Sequence, residues 1–393
     1  MKALSKLEDR VPEEVIKDIA GWLRDADWEV REAAVEALAV FKDRINDEMV
    51  REIAARLRDD DSDVREAAVE ALAKLENRVP EEVIKDIAGW LRGLRDDEWC
   101  VRKAAVEALA KLENRVPEEA IKDIAGRLRD VDWRVRAAAV EALAVFKDRL
   151  PEEVIKDIAG WLRDDNGYVR EAAVEALAKL EDRVPEEAIK DIAARLRDDE
   201  GYVRGAAVEA LAVFKDRLPE EVIKDIAARL RDDDSDVRAA AMEALAVFKD
   251  RVPEEVIRDI AARLRDDNGK VRAVAVEALA VFKDRLPEEV IKDIAGWLRD
   301  DEWRVRAAAV KALTKLEDRV PEEVIRDIAA RLRDDEWEVR AAAVKALAVF
   351  KDRVPEEVIN DIAGWLRDDD REVRESAYRT LKIFYESGIP LPG

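Results

Sequence analysis

The stretch PEEVIKDIAARLRDDDSDVRAAAMEALAVFKDRV, Pro219 to Val252, decides the fold. Val222, Ile223, Ile226, Ala227 and Leu230 recur at the spacing of 3.6 residues per turn and gather on one side of a first helix, A. Pro219 suits its first turn, where the missing N–H would go unpaired, and Glu220 and Glu221 favour the positive end of the helix dipole. Asp232, Asp233, Asp234 and Ser235 have side chains that compete for the backbone, so they end one helix and cap the next. Val237, Ala240, Ala241, Ala244, Leu245 and Phe248 then form the stripe of a second helix, B. Met242 and Ala246 lie outside that stripe, so the apolar surface of helix B is wider than one partner helix covers and must touch neighbouring units.

The same unit recurs along the chain. A proline before a Glu-Glu pair stands at Pro12, Pro80, Pro117, Pro151, Pro185, Pro219, Pro253, Pro287, Pro321 and Pro355, and Asn46 fills the vacant place. The interval is 34 residues, with one of 37. Self-similarity at this period marks a solenoid, in which each unit is one supersecondary element that cannot bury its apolar face alone. The expected fold is all-α: eleven 34-residue two-helix units starting at 12, 46, 80, 117, 151, 185, 219, 253, 287, 321 and 355. They fill residues 12–388, after a partial helix B over 1–11 and before a tail at 389–393. Stacking helices about 8–10 Å apart gives an elongated α-α superhelix with a contour of roughly 100 Å.

Asp232, then Val237-Arg238, Ala240-Ala241 and Ala244-Leu245, resembles the HEAT-repeat pattern, and the resemblance covers nearly the whole chain. It implies a right-handed, armadillo-like solenoid in which helix B lines the concave side. It also implies a ladder joining turn aspartates such as Asp25, Asp59 and Asp96 to the helix-B arginines, Arg31, Arg65, Arg102 and their equivalents. HEAT arrays mostly serve as curved protein-binding scaffolds. The near-identical units are similar both to recognition arrays of large signalling NTPases and to consensus-engineered repeats; a scaffold without a natural ligand is therefore an alternative.

Composition narrows the function. The 393 residues hold 94 acidic and 71 basic side chains, a formal charge of -23, which disfavours nucleic acid and anionic membranes as partners. Cys100 is the only cysteine, and no apolar run is long enough to span a bilayer, so a cytoplasmic protein is expected. There is no histidine, the usual general base and metal ligand, so no catalytic residue, metal site or cofactor is expected. The HEAT-like hydroxylases use His-Glu iron ligands, which this chain lacks. A HEAT-like lyase or glycosylase working through carboxylates alone is the remaining enzymatic alternative.

The positions that vary between units point to a partner. One outward place on helix B reads Glu36, Glu70, Glu107, Glu141, Glu175, Glu209, Glu243 and Glu277, then Lys311, Lys345 and Arg379. The turn ahead of helix B carries Trp28, Trp99, Trp133, Trp303 and Trp337, with Tyr168 and Tyr202 one place later in two units. Aromatic residues at a rim are the types that dominate binding energy; packing on the adjacent turn is the alternative. The ridge and rim together suit a protein or peptide with a basic segment, whose acidic portion meets the last three units. The oligomeric state is left open. A second aromatic set, Trp22, Trp90, Trp161, Trp297 and Trp365, alternates with Arg near the end of helix A and is expected to cover apolar surface. The three extra residues Gly93-Leu94-Arg95 lengthen one turn, either as a tolerated insertion or as a finger towards the ligand. In the last unit, Ser376, Tyr378 and Thr380 replace apolar residues, as expected where an outer face meets water.

Overall fold

Ten prolines and one asparagine begin the short helices, each in its own way. The proline is the N-cap rather than a first-turn residue: Pro219 has extended backbone (φ -71°, ψ 159°) and the helix starts at Glu220. At the vacant place the Asn46 side chain accepts a hydrogen bond from the Met49 N–H at 2.9 Å, doing by capping what proline does by rigidity. The computed structural model describes residues 11–91 and 96–391, with the side chains of Trp90 and Asp352 left aside. The leading partial helix B expected over 1–11, except Val11, the Gly93-Leu94-Arg95 insertion and the Trp90 ring lie outside the described residues. Among the described residues there are twenty-two α-helices and no strand, and no helix is long and apolar enough to cross a membrane.

The chain divides into two units, Met1–Arg195 and Leu196–Gly393. In the first, helices B run over Trp28–Val40, Ser62–Leu75, Trp99–Leu112, Trp133–Val145 and Gly167–Leu180, each packed on the next. In the second they run over Gly201–Val213, Ser235–Phe248, Gly269–Leu279, Trp303–Leu316, Trp337–Phe350 and Arg371–Glu386, again side by side. Helices A alternate with them, and most end in a single 3-10 turn such as Arg229–Arg231, whose Leu230 is buried. Helix B is apolar nearly all round: in Trp133–Val145 the residues Val135, Ala138, Ala139, Val140, Ala142 and Leu143 are all buried. Alanine lets the backbones approach closely, so the helix-B row is the packed spine of each unit.

A ladder of ion pairs runs along this spine, as the resemblance implies. Arg102 donates from Nε and Nη2 to both carboxylate oxygens of Asp130, each at 2.9 Å, and from Nη1 to the carbonyls of Asp96 and Asp97 at 2.9 and 3.0 Å. Arg272 repeats this with Asp300 (2.9 and 2.8 Å) and the carbonyls of Asp266 and Asp267. The same pairs join Arg31–Asp59, Arg65–Asp96, Arg136–Asp164, Arg204–Asp232, Arg238–Asp266, Arg306–Asp334 and Arg340–Asp368. Each of these aspartates belongs to the unit after its arginine. Burial pushes the Asp130 carboxyl up, but the Arg102 hydrogen bonds, the Asp132 N–H and the charges of Arg102 and Arg127 together hold it below the usual range.

Two devices were not foreseen from the sequence. The arginine that closes many units donates to two carbonyls of the preceding one: Arg285 reaches Lys249 at 3.2 Å and Val252 at 2.6 Å, and Arg115 reaches Glu76 at 2.6 Å and also Val79. The residue after many helices B, such as Glu113 (φ 38°) or Glu317 (φ 46°), has positive φ without being glycine. Two expectations also need correction. Ser376 and Thr380 do not face water; both are buried, with Ser376 donating to the Glu372 carbonyl (2.7 Å) and Thr380 to the Val344 carbonyl (3.1 Å). The Trp/Arg alternation at the end of helix A is part of the ladder as well as a cover. Trp161, Trp297 and Trp365 lie 5.8 Å from the guanidinium groups of Arg136, Arg272 and Arg340, whereas Arg56, Arg127 and Arg229 sit 3.2–3.3 Å from the ladder aspartates Asp59, Asp130 and Asp232. The place takes either a ring that faces the arginine or a second guanidinium that faces the aspartate.

Candidate partner-binding grooves

The rim aromatics are the first residues of helix B rather than turn residues: Trp99, Trp133, Trp303 and Trp337 each begin their helix, so the rings stand at the end of the exposed helix-B ridge. From such a residue, the places one, five and eight residues on lie along one face of the helix. In the first unit this face forms a groove of about 560 Å³ across Trp99–Leu112, Trp133–Val145 and Gly167–Leu180. Glu107, Glu141 and Glu175 line it together with Glu171, and Trp99, Trp133 and Tyr168 stand at its end. Trp133 and Tyr168 stack with centroids 5.2 Å apart and planes 19° apart. The Arg134 guanidinium lies 4.4 Å from the Trp99 ring centre and 4.9 Å from that of Trp133.

The groove is acidic despite internal cations. Lys103 pairs with Glu107 at 3.2 Å, and Arg134 with Asp132 at 3.3 Å. Although Glu141 is an exposed residue, burial of its carboxyl within the groove is the main cause that raises its affinity for a proton above the usual range. Repulsion from Glu175 and Glu107 adds to this, against the opposing charges of Lys179 and Lys103. Cys100, which follows Trp99 in the chain, is half-buried and its thiol is pushed up to about 11 by burial and by Glu66, the reverse of an activated thiolate.

The second unit holds a groove of about 680 Å³ with a different lining: Glu277, Lys311, Lys315, Lys345 and Trp337 around an apolar floor of Ala280, Ala312, Ala341, Ala342, Ala346 and Val349. Its positive charge is partly spent, since Lys345 pairs with Glu372 at 2.7 Å. Glu338 stands where the first groove has Arg134, and its Oε2 is buried without a hydrogen-bond partner among the described residues. A third, smaller hollow of about 240 Å³ gathers Glu36 and Glu70 with Glu32, Asp63 and Glu66.

Several expected residues fall outside these grooves. Glu209 and Glu243 are exposed on Gly201–Val213 and Ser235–Phe248 but line neither large groove. Arg379 is exposed and pairs with Glu375 of its own helix at 3.6 Å. Trp303 lies under Arg304, 4.8 Å from its guanidinium, and Tyr202 is half-buried. Sequence reasoning singled out neither Arg134 nor Glu338; the signal available was that they occupy one variable place, two residues before the ladder arginine.

No curated protein matches the chain. Among solved structures it is similar to an importin beta crystallised in ammonium sulfate, with a TM-score of 0.73 at 16% identity over 97% of this chain and 60% of that one. Yeast importin-beta (Kap95p) gives 0.68 at 15% over 98% and 58%, and Kap121p with the extreme C-terminus of the protein phosphatase Cdc14p gives 0.61 at 13% over 96% and 46%. The chain thus spans about half to three-fifths of these solenoids, and at such identity the likeness concerns the fold. The HEAT-repeat family matches residues 16–92, 87–178, 121–212, 155–246, 189–280, 257–348 and 325–389. With the paired helices and the Asp–Arg ladder, these matches show that the chain belongs to the HEAT-repeat family.

Proposed function

We propose that the chain is a non-catalytic scaffold, built of eleven units, that binds a protein or peptide carrying a basic segment on the exposed helix-B face. The observation that carries this reading is the groove of the first unit, where Glu107, Glu141 and Glu175 come from three successive helices and end at Trp99, Trp133 and Tyr168. Carboxylates in register steer and orient a cationic partner, and the rings supply contact area at low entropic cost. Kap121p, similar in fold, is bound to the C-terminus of another protein in one solved structure. Neither nucleic acid nor membrane belongs to the proposal, given the charge of -23.

The test is fluorescence polarisation with a labelled decapeptide of alternating lysine and alanine. The E107Q/E141Q/E175Q protein should bind about tenfold more weakly than the unaltered chain, and the difference should shrink as salt rises past about 0.15 M. The helix-A variant E118Q/E152Q/E186Q should bind as the unaltered chain does. Equal loss in both variants means that only net charge matters, and the groove reading falls. No binding at all leaves the engineered or consensus array without a natural ligand as the better reading.

A further inference from the structure

Arg134, half-exposed at the groove of the first unit, has a distinctive setting. Its guanidinium is within cation–π range of two indoles at once, 4.4 Å from Trp99 and 4.9 Å from Trp133, at the end of the glutamate-lined groove. Two-ring contact needs tryptophan at the start of two successive helices B, which the sequence provides at Trp99/Trp133 and at Trp303/Trp337. In the second pair the place of Arg134 is taken by Glu338. Trp303 faces the Arg304 of its own helix, 4.8 Å from its guanidinium.

The attachment of Arg134 is also unlike that of the ladder arginines. Arg102 makes four hydrogen bonds, two to a buried carboxylate and two to carbonyls, and is itself buried. Arg134 is half-exposed, and its side chain makes one hydrogen bond, to Asp132 at 3.3 Å, besides its two ring contacts. A guanidinium held mainly by ring faces at a wet surface is exchangeable, because the contact is worth only about 0.5–2 kcal/mol. The rings would be left with the same preference for a flat, delocalised cation that they show for Arg134.

We propose that Trp99 and Trp133 form a guanidinium-binding site that Arg134 occupies in the free protein, and that an arginine side chain of the partner displaces it, with Glu107, Glu141 and Glu175 beside the incoming charge. This rests on the groove reading above and narrows it: the basic segment carries arginine rather than lysine at the aromatic end. Arg134 is then an internal competitor that sets the affinity of the site.

Calorimetry on the full chain tests this with the pentapeptide Gly-Gly-Arg-Gly-Gly, blocked at both ends, and its lysine and citrulline counterparts. R134Q should tighten arginine-peptide binding about 3- to 30-fold, leave citrulline binding unchanged, and favour arginine over lysine. K103Q removes the same charge from the groove without touching the rings, so it should raise arginine and lysine binding equally and by less. Adding W99A to R134Q should abolish the gain. If R134Q gives no gain, or the same gain for both cationic peptides as K103Q, the inference is overturned; the groove reading then stands or falls separately on whether E107Q/E141Q/E175Q weakens binding of the alternating lysine peptide.

Discussion

The two large grooves each lie on helices B packed side by side, three in the first unit and four in the second, yet their linings differ in charge and in aromatic content. The first sets four glutamates against Lys103 and Arg134 and ends at two indoles and a tyrosine; the second sets three lysines against Glu277, Glu338 and Glu372, with one indole and a floor of alanines and a valine. The residues that set the backbone repeat from unit to unit, while those that set the groove change at a few outward places. If the grooves bind as proposed, architecture and recognition reside in separate columns of the same sequence, and either should be alterable without the other.

The sharpest way to break that separation is through the ladder. R102A in the first unit and R306A in the second each take the bidentate guanidinium from a buried aspartate, Asp130 or Asp334, which keeps, of its arginine contacts, only the single one of Arg127 or Arg331. Each should destabilise its unit by about 3 kcal/mol, the low end for breaking a buried pair because the second arginine remains, measured by urea unfolding, whereas R134Q or K311E should change stability by less than about 0.5 kcal/mol. A similar loss from ladder and groove variants would show that the columns are not independent. The same aspartates give the acid limit. Asp130 and Asp334 are held below the usual carboxylate range, so their contribution is complete above an unfolded value of about 3.9 and is lost as pH falls through the lower folded value.

Recognition should invert when the charge does. K311E/K345E should weaken binding of an alternating glutamate–alanine peptide about tenfold and leave the lysine peptide's affinity for the first groove within about twofold; fluorescence polarisation of both peptides against both proteins decides it. A smaller effect is expected in the turns. Glu113 and Glu317 occupy positive φ, so E113G and E317G should each stabilise the chain by about 1 kcal/mol, by relief of a conformation that costs an L-residue more than glycine. K283G, within a 3-10 run without positive φ, should be neutral or slightly destabilising. Thermal melts of the three variants separate strain relief from a general effect of glycine.

The smallest effect concerns pH. The Glu141 carboxyl, walled by Glu107, Glu171 and Glu175 and opposed by Lys103 and Lys179, takes up its proton above the usual carboxylate range. Its raised value means that neutral Glu141 favours the folded state, a gain complete below the unfolded value and lost as pH rises through the folded one. Binding runs the other way, since a neutral Glu141 no longer attracts a cation. Lowering pH from about 7 to 5 should therefore weaken lysine-peptide binding about twofold in the unaltered chain and not in E141Q; an unchanged slope in E141Q would assign the effect to another carboxylate.

The fold was legible because the helical stripes and the 34-residue period are carried by side-chain type, the property that a sequence displays directly. The ladder was legible for the same reason: Asp and Arg recur at fixed places. The clamp made by Arg78, Arg115, Arg285 and their equivalents was not, because its acceptors are backbone carbonyls, which every residue has. The strained turns were hidden by their occupants, since Glu or Lys stands where glycine would have signalled positive φ. At the candidate site the glutamate ridge and the tryptophans could be listed in advance. That Glu107, Glu141 and Glu175 share a groove with Trp99 and Trp133, while Glu243 and Trp303 do not share one with them, depends on neighbouring side chains of several helices at once. Arg134 was unremarkable among 71 basic residues until two indoles were found around it.

The spacing of the ladder also acts as punctuation. From each arginine to its aspartate the chain runs 28 residues, as in Arg102 to Asp130, except from Arg65 to Asp96, where it runs 31. That pair still closes, at 2.6 Å. From the aspartate to the next arginine the count is always six, because the arginine must also reach the carbonyls at its own i−6 and i−5. The array thus admits a longer chain between an arginine and its aspartate, whereas the stretch of six residues after the aspartate keeps its length in every unit. Wherever a loop is to be lengthened or a foreign segment spliced into this chain, the place that the array itself has already used is the one just before the aspartate.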